Sequence, residues 1–460
     1  MHLSELPHRL LLPMLLVFLC ACWMLGGVTS DATAADEWLI LLSLPLLLVS
    51  GWILLGDGVD APVSRWGLAA AAAILAVPLL QLLPMPAGLW GMPTARTALA
   101  ADLTVAGVRA PALHWALAPT ATEGALWSLL PAMAMFAGTL ALAPRQRGMV
   151  VRAILHLVGA NVLFAFFQAG LPVDSALRLY GDAGSGFGGL LANTNHQATA
   201  LVIAMVLAVG CAVHARRRDQ AGRGHPYAWM AYAAYAGVCF LLIPLTTSRA
   251  GMVLALPALA AVLALTGAIG LHRRRRPSRR SLAMLAVVVL LAVVGIRAAI
   301  GWMAVDEAEE LRHLIAAATL RMGSGQSPWG SGVGSFVQVF AQSAPQQLWM
   351  DVYVNHAHNE FAQWWLEAGV MGVLVLGGML ALLAYLGWRV IRIAGRDGTA
   401  ILAASCLTAI LVVLVHSFAD FPLRTLTLMA TVAALAGLML GALGDRERGA
   451  SPPQAASIED

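Results

Sequence analysis

Between Asn355 and Gly372 the chain reads NHAHNEFAQWWLEAGVMG. Two histidines and two asparagines stand where a long polar stretch turns back into an apolar run. Histidine is the side chain suited to take up and release a proton near neutral pH. Ionisable groups at a membrane boundary are costly to place and therefore point to function. His356 and His358 thus offer general-base chemistry. In the competing reading they are interfacial polar residues capping a helix that starts near Phe361.

Three arginines offer a second kind of chemistry. Arg249, in LTTSRAGMV, sits at the tight outer junction of two apolar runs. Arg321, in TLRMGSG, precedes a Gly-rich turn, and Arg178 lies in ALRLYGDAGSGFGG. A guanidinium is permanently charged, and its fork matches two phosphate oxygens at once. Several converging on one outer pocket would fit a lipid diphosphate held at the membrane surface. Headgroup contact or snorkelling competes with this reading for each, and is favoured for Arg178 taken alone.

Absences narrow the reaction further. The chain has no lysine, which excludes a Walker A loop and a Schiff base, so SPWGSGVGSF at 327–336 is not an ATP site. No aspartate pair has the spacing usual for metal-bound nucleotide sugars, and no His/Cys grouping matches a zinc site. The expected chemistry uses no nucleotide, no metal and no cofactor, leaving arginine and histidine as the reactive groups.

Composition dictates what must position these residues. Of 460 residues, 60% are hydrophobic and 11% charged, and the mean hydropathy is +0.77. Apolar runs of about 20 residues recur along the chain. About twelve spans are expected, near 10–29, 38–56, 66–84, 124–142, 149–171, 190–213, 228–247, 250–271, 282–302, 361–387, 399–417 and 424–443. Trp66, Trp127 and Trp302 suit interfacial anchoring. The fold class is all-α: a polytopic membrane bundle with one large outside loop.

Arginine clusters orient it. Arg145 and Arg147, Arg216 to Arg218, Arg273 to Arg276 with Arg279 and Arg280, Arg389 with Arg392, and Arg446 with Arg448 fall in alternate connections. These connections are expected on the cytoplasmic side, with both termini inside. The run HRRRRPSRR follows topology rather than nucleic-acid binding. The outside face then holds the loop from about Pro84 to Glu123, the loop 172–189, the loop from about Met303 to Glu360 and the SFADFPL turn at 417–423. The stretch DEAEELRHLIAAATLRM suggests an amphipathic helix near the interface. An anchoring first helix is expected in preference to a signal peptide cleaved near Ala32 to Ala34. The tail RERGASPPQAASIED is expected to be disordered. The five cysteines lie in apolar runs, so no disulfide framework is expected.

With those residues in view, the chain resembles the O-antigen ligase and polymerase superfamily. His358-Asn359, then nine residues, then Gly369-Val370-Met371-Gly372 is similar to the family's histidine signature. GFGGLLANTNHQATALVI at 186–203 resembles its Asn-His motif, and TTSRAGMVLAL at 246–256 its Ser-Arg turn. PWGSGVGSF at 328–336, with Arg321 upstream, resembles its Pro-x-x-Gly-x-Gly turn, and HSFADFPLRT at 416–425 its Asp-Phe element. The likeness covers roughly residues 180–430.

The resemblance implies a GT-C-like bundle in the bacterial inner membrane with its active site facing the periplasm. It implies inverting, metal-independent transfer of a glycan from undecaprenyl diphosphate to an acceptor hydroxyl, on lipid A–core in a ligase. The expected organisation is N-terminal membrane helices over 1–180, a catalytic region over 181–430 with a periplasmic loop at 303–360, and a helix end and tail over 431–460. His358 would be the general base, with Arg249 and Arg321 clamping the diphosphate. Asn359 or His356 would orient the imidazole or the acceptor. Asn195 and His196 would lie near the same face, or bond between helices. Polymerase action, joining lipid-linked repeats, shares the same motifs. A transporter or flippase is the alternative of another class, but the polar motifs gather at one face, where a transporter would place ionisable groups near the midplane.

Overall fold

The computed structural model describes residues 6–30, 33–108, 112–172, 174–180, 186–268, 307–349 and 353–450. The expected span 282–302 with Trp302, the run HRRRRPSRR, Asp306 and the tail beyond 450 lie outside these residues. The chain is an all-α polytopic membrane protein: among the described residues, nine helices are long and apolar enough to cross a membrane.

In chain order the helices are α1 Leu6–Leu25, α2 Ala34–Gly56, α3 Pro62–Gln81, α4 Ala87–Trp90, α5 Thr94–Val105, α6 Pro119–Ser128, α7 Leu130–Leu140, α8 Pro144–Ala169 and α9 Thr194–Gln220. They continue with α10 Ala228–Leu242, α11 Arg249–Leu265, α12 Glu307–Gln326, α13 Phe336–Ser343, α14 Glu360–Ile393, α15 Gly398–His416 and α16 Leu426–Ala450. One small antiparallel pair, β1 Pro84–Pro86 with β2 Ala112–His114, sets Met85 opposite Leu113.

The long helices alternate in direction. At one end Thr427 N donates to Gly26 O at 3.1 Å, joining the start of α16 to the end of α1. At the other end Val63 N, opening α3, donates to Glu447 Oε2 near the close of α16 at 3.3 Å. That second end carries ion pairs: Arg147 with Asp445 at 2.5 Å, Arg389 with Glu447 at 2.6 Å, and Arg446 with Asp397. Residues 6 and 450 both lie there, away from His358. The middle of the bundle is α9, α15 and α16, most of whose apolar side chains are buried.

Several expected boundaries shift. The run near 124–142 forms two successive helices, α6 and α7, because Pro131 has no N–H to continue the ladder at the junction. The run near 228–247 ends in a 3₁₀ turn, Ile243–Thr246, and the next helix opens immediately on Arg249.

Helix α14 has 34 residues, a length of about 51 Å, well beyond a hydrocarbon core of roughly 30 Å. It breaks at Gly369, whose φ of 57° and ψ of −147° are open only to glycine. The break separates an outer half-helix, 360–368, from the segment 370–393. PWGSGVGSF fills the gap and satisfies the freed backbone groups. Val370 N donates to Pro328 O at 3.0 Å, while Ser331 N and Gly332 N each donate at 2.9 Å to Leu366 O and Glu367 O. The histidine signature and the Gly-rich turn are thus two sides of one contact.

Candidate active site

Three of the sequence motifs are helix N-caps at the same end of the bundle. Asn193 Oδ1 accepts from Asn195 N at 2.8 Å to open α9. Ser248 Oγ accepts from Gly251 N at 3.1 Å to open α11, and Asn359 Oδ1 accepts from Ala362 N at 2.9 Å to open α14. Each cap satisfies an N–H group that the helix leaves unpaired. Three positive helix-dipole ends therefore lie at this end.

His358 stands immediately before the third cap, with a left-handed backbone, φ 50°. A non-glycine residue in that region costs of order 1 kcal/mol or more and is held there by its surroundings. What holds it is Asp420, on the turn between α15 and α16. His358 Nδ1 donates to Asp420 Oδ1 at 3.2 Å; Asp420 is fully buried and the His358 side chain is 21% exposed. With Nδ1–H given to the carboxylate, Nε2 carries the lone pair for an incoming hydroxyl.

Asp420 has further donors. Asn193 Nδ2 donates to Oδ2 at 3.0 Å, and Phe421 N donates to Oδ1 at 3.0 Å. Burial alone would raise this carboxyl. The hydrogen bond from His358 and the neighbouring His196, His358 and Arg312 outweigh burial and hold it well below the usual carboxylate range.

Phe421 organises the remaining imidazoles. His196, His356 and His358 lie around its ring, with centroid separations of 5.1, 4.3 and 5.0 Å. His356 is buried, and Gln363 Nε2 approaches its Nδ1 at 3.4 Å. Burial, then the charges of Arg424 and His358, push the His356 imidazole down to about 3. It stays neutral, and its environment differs from the carboxylate-bound setting of His358. Deeper in the bundle, His416 Nδ1 meets Thr199 Oγ1 at 2.6 Å.

The other expected site residues fall as follows. Asn359 uses its second polar atom on backbone, Nδ2 donating to Phe418 O at 3.0 Å. Asn195 lies in the first turn of α9, half-buried, while His196 is buried beside Asn193, its Nε2 3.5 Å from Asn193 Nδ2. Arg249 is half-buried at the first position of α11. Gly251, two residues on, packs against Ala198 in α9, which places Arg249 at the end of the bundle that holds His196. Arg178 donates from Nε and Nη2 to Leu171 O, at 3.2 and 2.8 Å, beyond the end of α8.

Arg321 is exposed. Nine positions earlier on α12, Arg312 is half-buried, and its charge reaches Asp420, His196 and His416. Nine residues put two side chains half a turn out of phase and about 13 Å apart along the axis. The face of α12 toward the histidines therefore carries Arg312, not Arg321.

Sequence reasoning gave no role to Arg312, Asp420 or Asn193. Arg312 had a signal: it shares a 3–4 spacing with Ile315, Thr319, Met322 and Gln326, the inward face of α12. Asp420 lay within a motif already singled out, but its partner is distant in the chain.

Residues 234–377 match the family model described as O-antigen ligase. That stretch of the chain is similar to O-antigen ligase. A search of curated proteins finds no match to the chain. The matched stretch contains Arg249, Arg312, Arg321, the Gly-rich turn and His358, whereas Asn193 and Asp420 come from outside it. The match, with nine helices among the described residues long and apolar enough to cross a membrane, supports a multi-pass membrane protein with an O-antigen ligase-like region.

Proposed function

We propose that the protein is an inverting glycosyltransferase that moves a glycan from undecaprenyl diphosphate to an acceptor hydroxyl. The acceptor on this reading is lipid A–core, and the reaction faces the periplasm from the bacterial inner membrane. Arginine-bearing helix ends and both described chain ends then lie toward the cytoplasm, as their positive charge favours.

His358 Nε2 takes the proton of the acceptor hydroxyl as its oxygen attacks the anomeric carbon opposite the diphosphate. Asp420 keeps the imidazole in the required tautomer and stabilises the imidazolium formed. The C–O bond to the diphosphate breaks as the new glycosidic bond forms. Negative charge develops on the departing lipid diphosphate. Arg312 and Arg249 receive it, together with the N-terminal dipole ends of α9, α11 and α14. Arg321, on the outer face of α12, is assigned to the rim. Asn193 and His196 support Asp420 from below.

The observation that carries this reading is the His358–Asp420 pair with the charge of Arg312 upon it. The test is purified protein in lipid nanodiscs supplied with undecaprenyl-diphosphate-linked glycan, with and without lipid A–core. Glycan joined to lipid A–core supports a ligase. Longer lipid-linked glycan in the absence of lipid A–core would reassign it as a polymerase, and no transfer in either arm would overturn the transferase reading.

A further inference from the structure

The N-terminal third of the chain lies outside the stretch similar to O-antigen ligase, yet two of its side chains close on the break in α14. Gln81, the last residue of α3, is wholly buried. Its Nε2 donates to Glu367 O at 2.9 Å, and its Oε1 accepts from Val333 N at 2.9 Å. One amide thus bonds the final turn of the half-helix 360–368 and the Gly-rich turn that fills the break.

Arg96, in α5, holds that turn from the other side. It is also wholly buried. Its Nη2 donates to Gly330 O at 2.6 Å and to Trp115 O at 2.9 Å, and its Nε donates to Gln326 Oε1 at 3.2 Å. Its guanidinium lies over the Trp90 ring, 5.1 Å from the centroid. Trp115 Nε1 to Trp329 O at 2.8 Å and Leu117 N to Ser331 O at 2.8 Å extend the same contact.

Together these groups leave the half-helix little freedom. Its carbonyl end is bonded by Gln81, Ser331 and Gly332, and its amino end carries the Asn359 cap directly after His358. Removing the Gln81 amide leaves Val333 N without its acceptor and takes one of two donors from Glu367 O, which keeps Gly332 N. A short helix pinned at one end pivots there, and displacement at the other end falls on the imidazole.

We infer that Gln81 and Arg96 are positioning residues: they fix the tilt of the half-helix 360–368 and so set where His358 meets the acceptor. This rests on the reading of His358 as the base. Both side chains are wholly buried against protein groups, so the effect belongs to turnover and not to donor binding.

The test uses the full chain in nanodiscs with undecaprenyl-diphosphate-linked glycan and lipid A–core, and Gln81→Met, which keeps volume and removes both hydrogen bonds. Expected is a fall in kcat of about 10- to 100-fold with KM for the donor unchanged, in protein that is monodisperse and fully folded. A folded Gln81→Met with parental kcat, or one altered in KM alone, overturns the inference. If Gln81→Met does not fold, Arg96→Lys is measured by the same criteria, since it keeps the charge and loses the fork. Failure of both to fold assigns the pair to the fold alone and also overturns it. His358→Ala runs in parallel. Parental activity there means that the reading of His358 has failed, whereas inactive His358→Ala beside parental Gln81→Met means that only the positioning inference has.

Discussion

His358 and Asp420 stand 62 positions apart in the chain and meet at 3.2 Å, one partly exposed and the other sealed beneath it. The imidazole comes from the loop before α14 and the carboxylate from the turn after α15. Every feature of the proposed chemistry depends on those two loops sharing one end of the bundle.

Removing either partner should stop turnover without removing the protein from the membrane. His358→Ala is expected to lower kcat by about 10²- to 10⁴-fold, the usual contribution of a general base. Asp420→Asn, which keeps the shape but favours the wrong tautomer, should cost about 10²-fold or more. In cells, lipid-linked glycan should accumulate. Normal surface glycan in a His358→Ala strain would remove that residue from the mechanism.

The two arginines of α12 should separate cleanly. Arg312→Ala is expected to lower kcat/KM for the lipid-linked donor by about 10²-fold, and Arg312→Lys to recover little of it, because the fork is lost. Arg321→Ala should stay within about threefold of the parent. Steady-state kinetics with varied donor would check both. Equal losses at the two positions would mean that α12 does not present one face to the site.

Gly369→Ala should damage stability and activity together. A side chain at φ 57° and ψ −147° is strained by about 1–3 kcal/mol, and its Cβ would also run into Pro328 O. Thermal unfolding in detergent should show a lower midpoint, and transfer should fall with it. An unchanged midpoint would show that the turn 328–336 does not plug the break.

Acid should weaken the fold through His356. Its imidazole is held neutral, down at about 3, by burial first and by Arg424 and His358 next. In the unfolded chain it takes a proton below about 6.5. The unfolded state therefore binds more protons between these values, and stability falls as pH drops through that window. Between pH 6.5 and 5 the loss from this residue is about 2 kcal/mol. His356→Phe should flatten the dependence of the unfolding midpoint on pH relative to the parent. Asp420 acts lower, since its depressed carboxyl contributes stability that is lost only as pH falls below about 3.9. Parallel pH curves for parent and His356→Phe would contradict the buried neutral imidazole.

Much of the scaffold was legible because apolar run length is a one-dimensional property. The expected starts near 190, 250 and 361 fall within a few residues of the observed starts of α9, α11 and α14 at Thr194, Arg249 and Glu360. The division of α6 from α7 needed attention to Pro131, and the reach of α14 from Glu360 to Ile393 exceeded any single span because the polar outer half continues the helical pattern. The site was legible only in part. His358 is conspicuous by type, but its partner is fixed by packing between α14 and α15. Arg312 differs from Arg321 only by its phase on a helix, and the phase matters once the inward face is known. Gln81 gave no signal, since a single amide at the close of an apolar helix is ordinary until the opposing carbonyl is seen.

Phe421 has a consequence for where charge can travel. Set among His196, His356 and His358, its ring is a disc that can neither accept a proton nor pass one on. An apolar ring thus stands between three bases crowded into a few ångströms, and the outermost imidazole, with Nδ1 given to the carboxylate beside it, keeps Nε2 for the outside. A hydroxyl- or amide-bearing replacement at that position could relay between the bases, and a hydrogen ion meant to be shed outward would have other places to go.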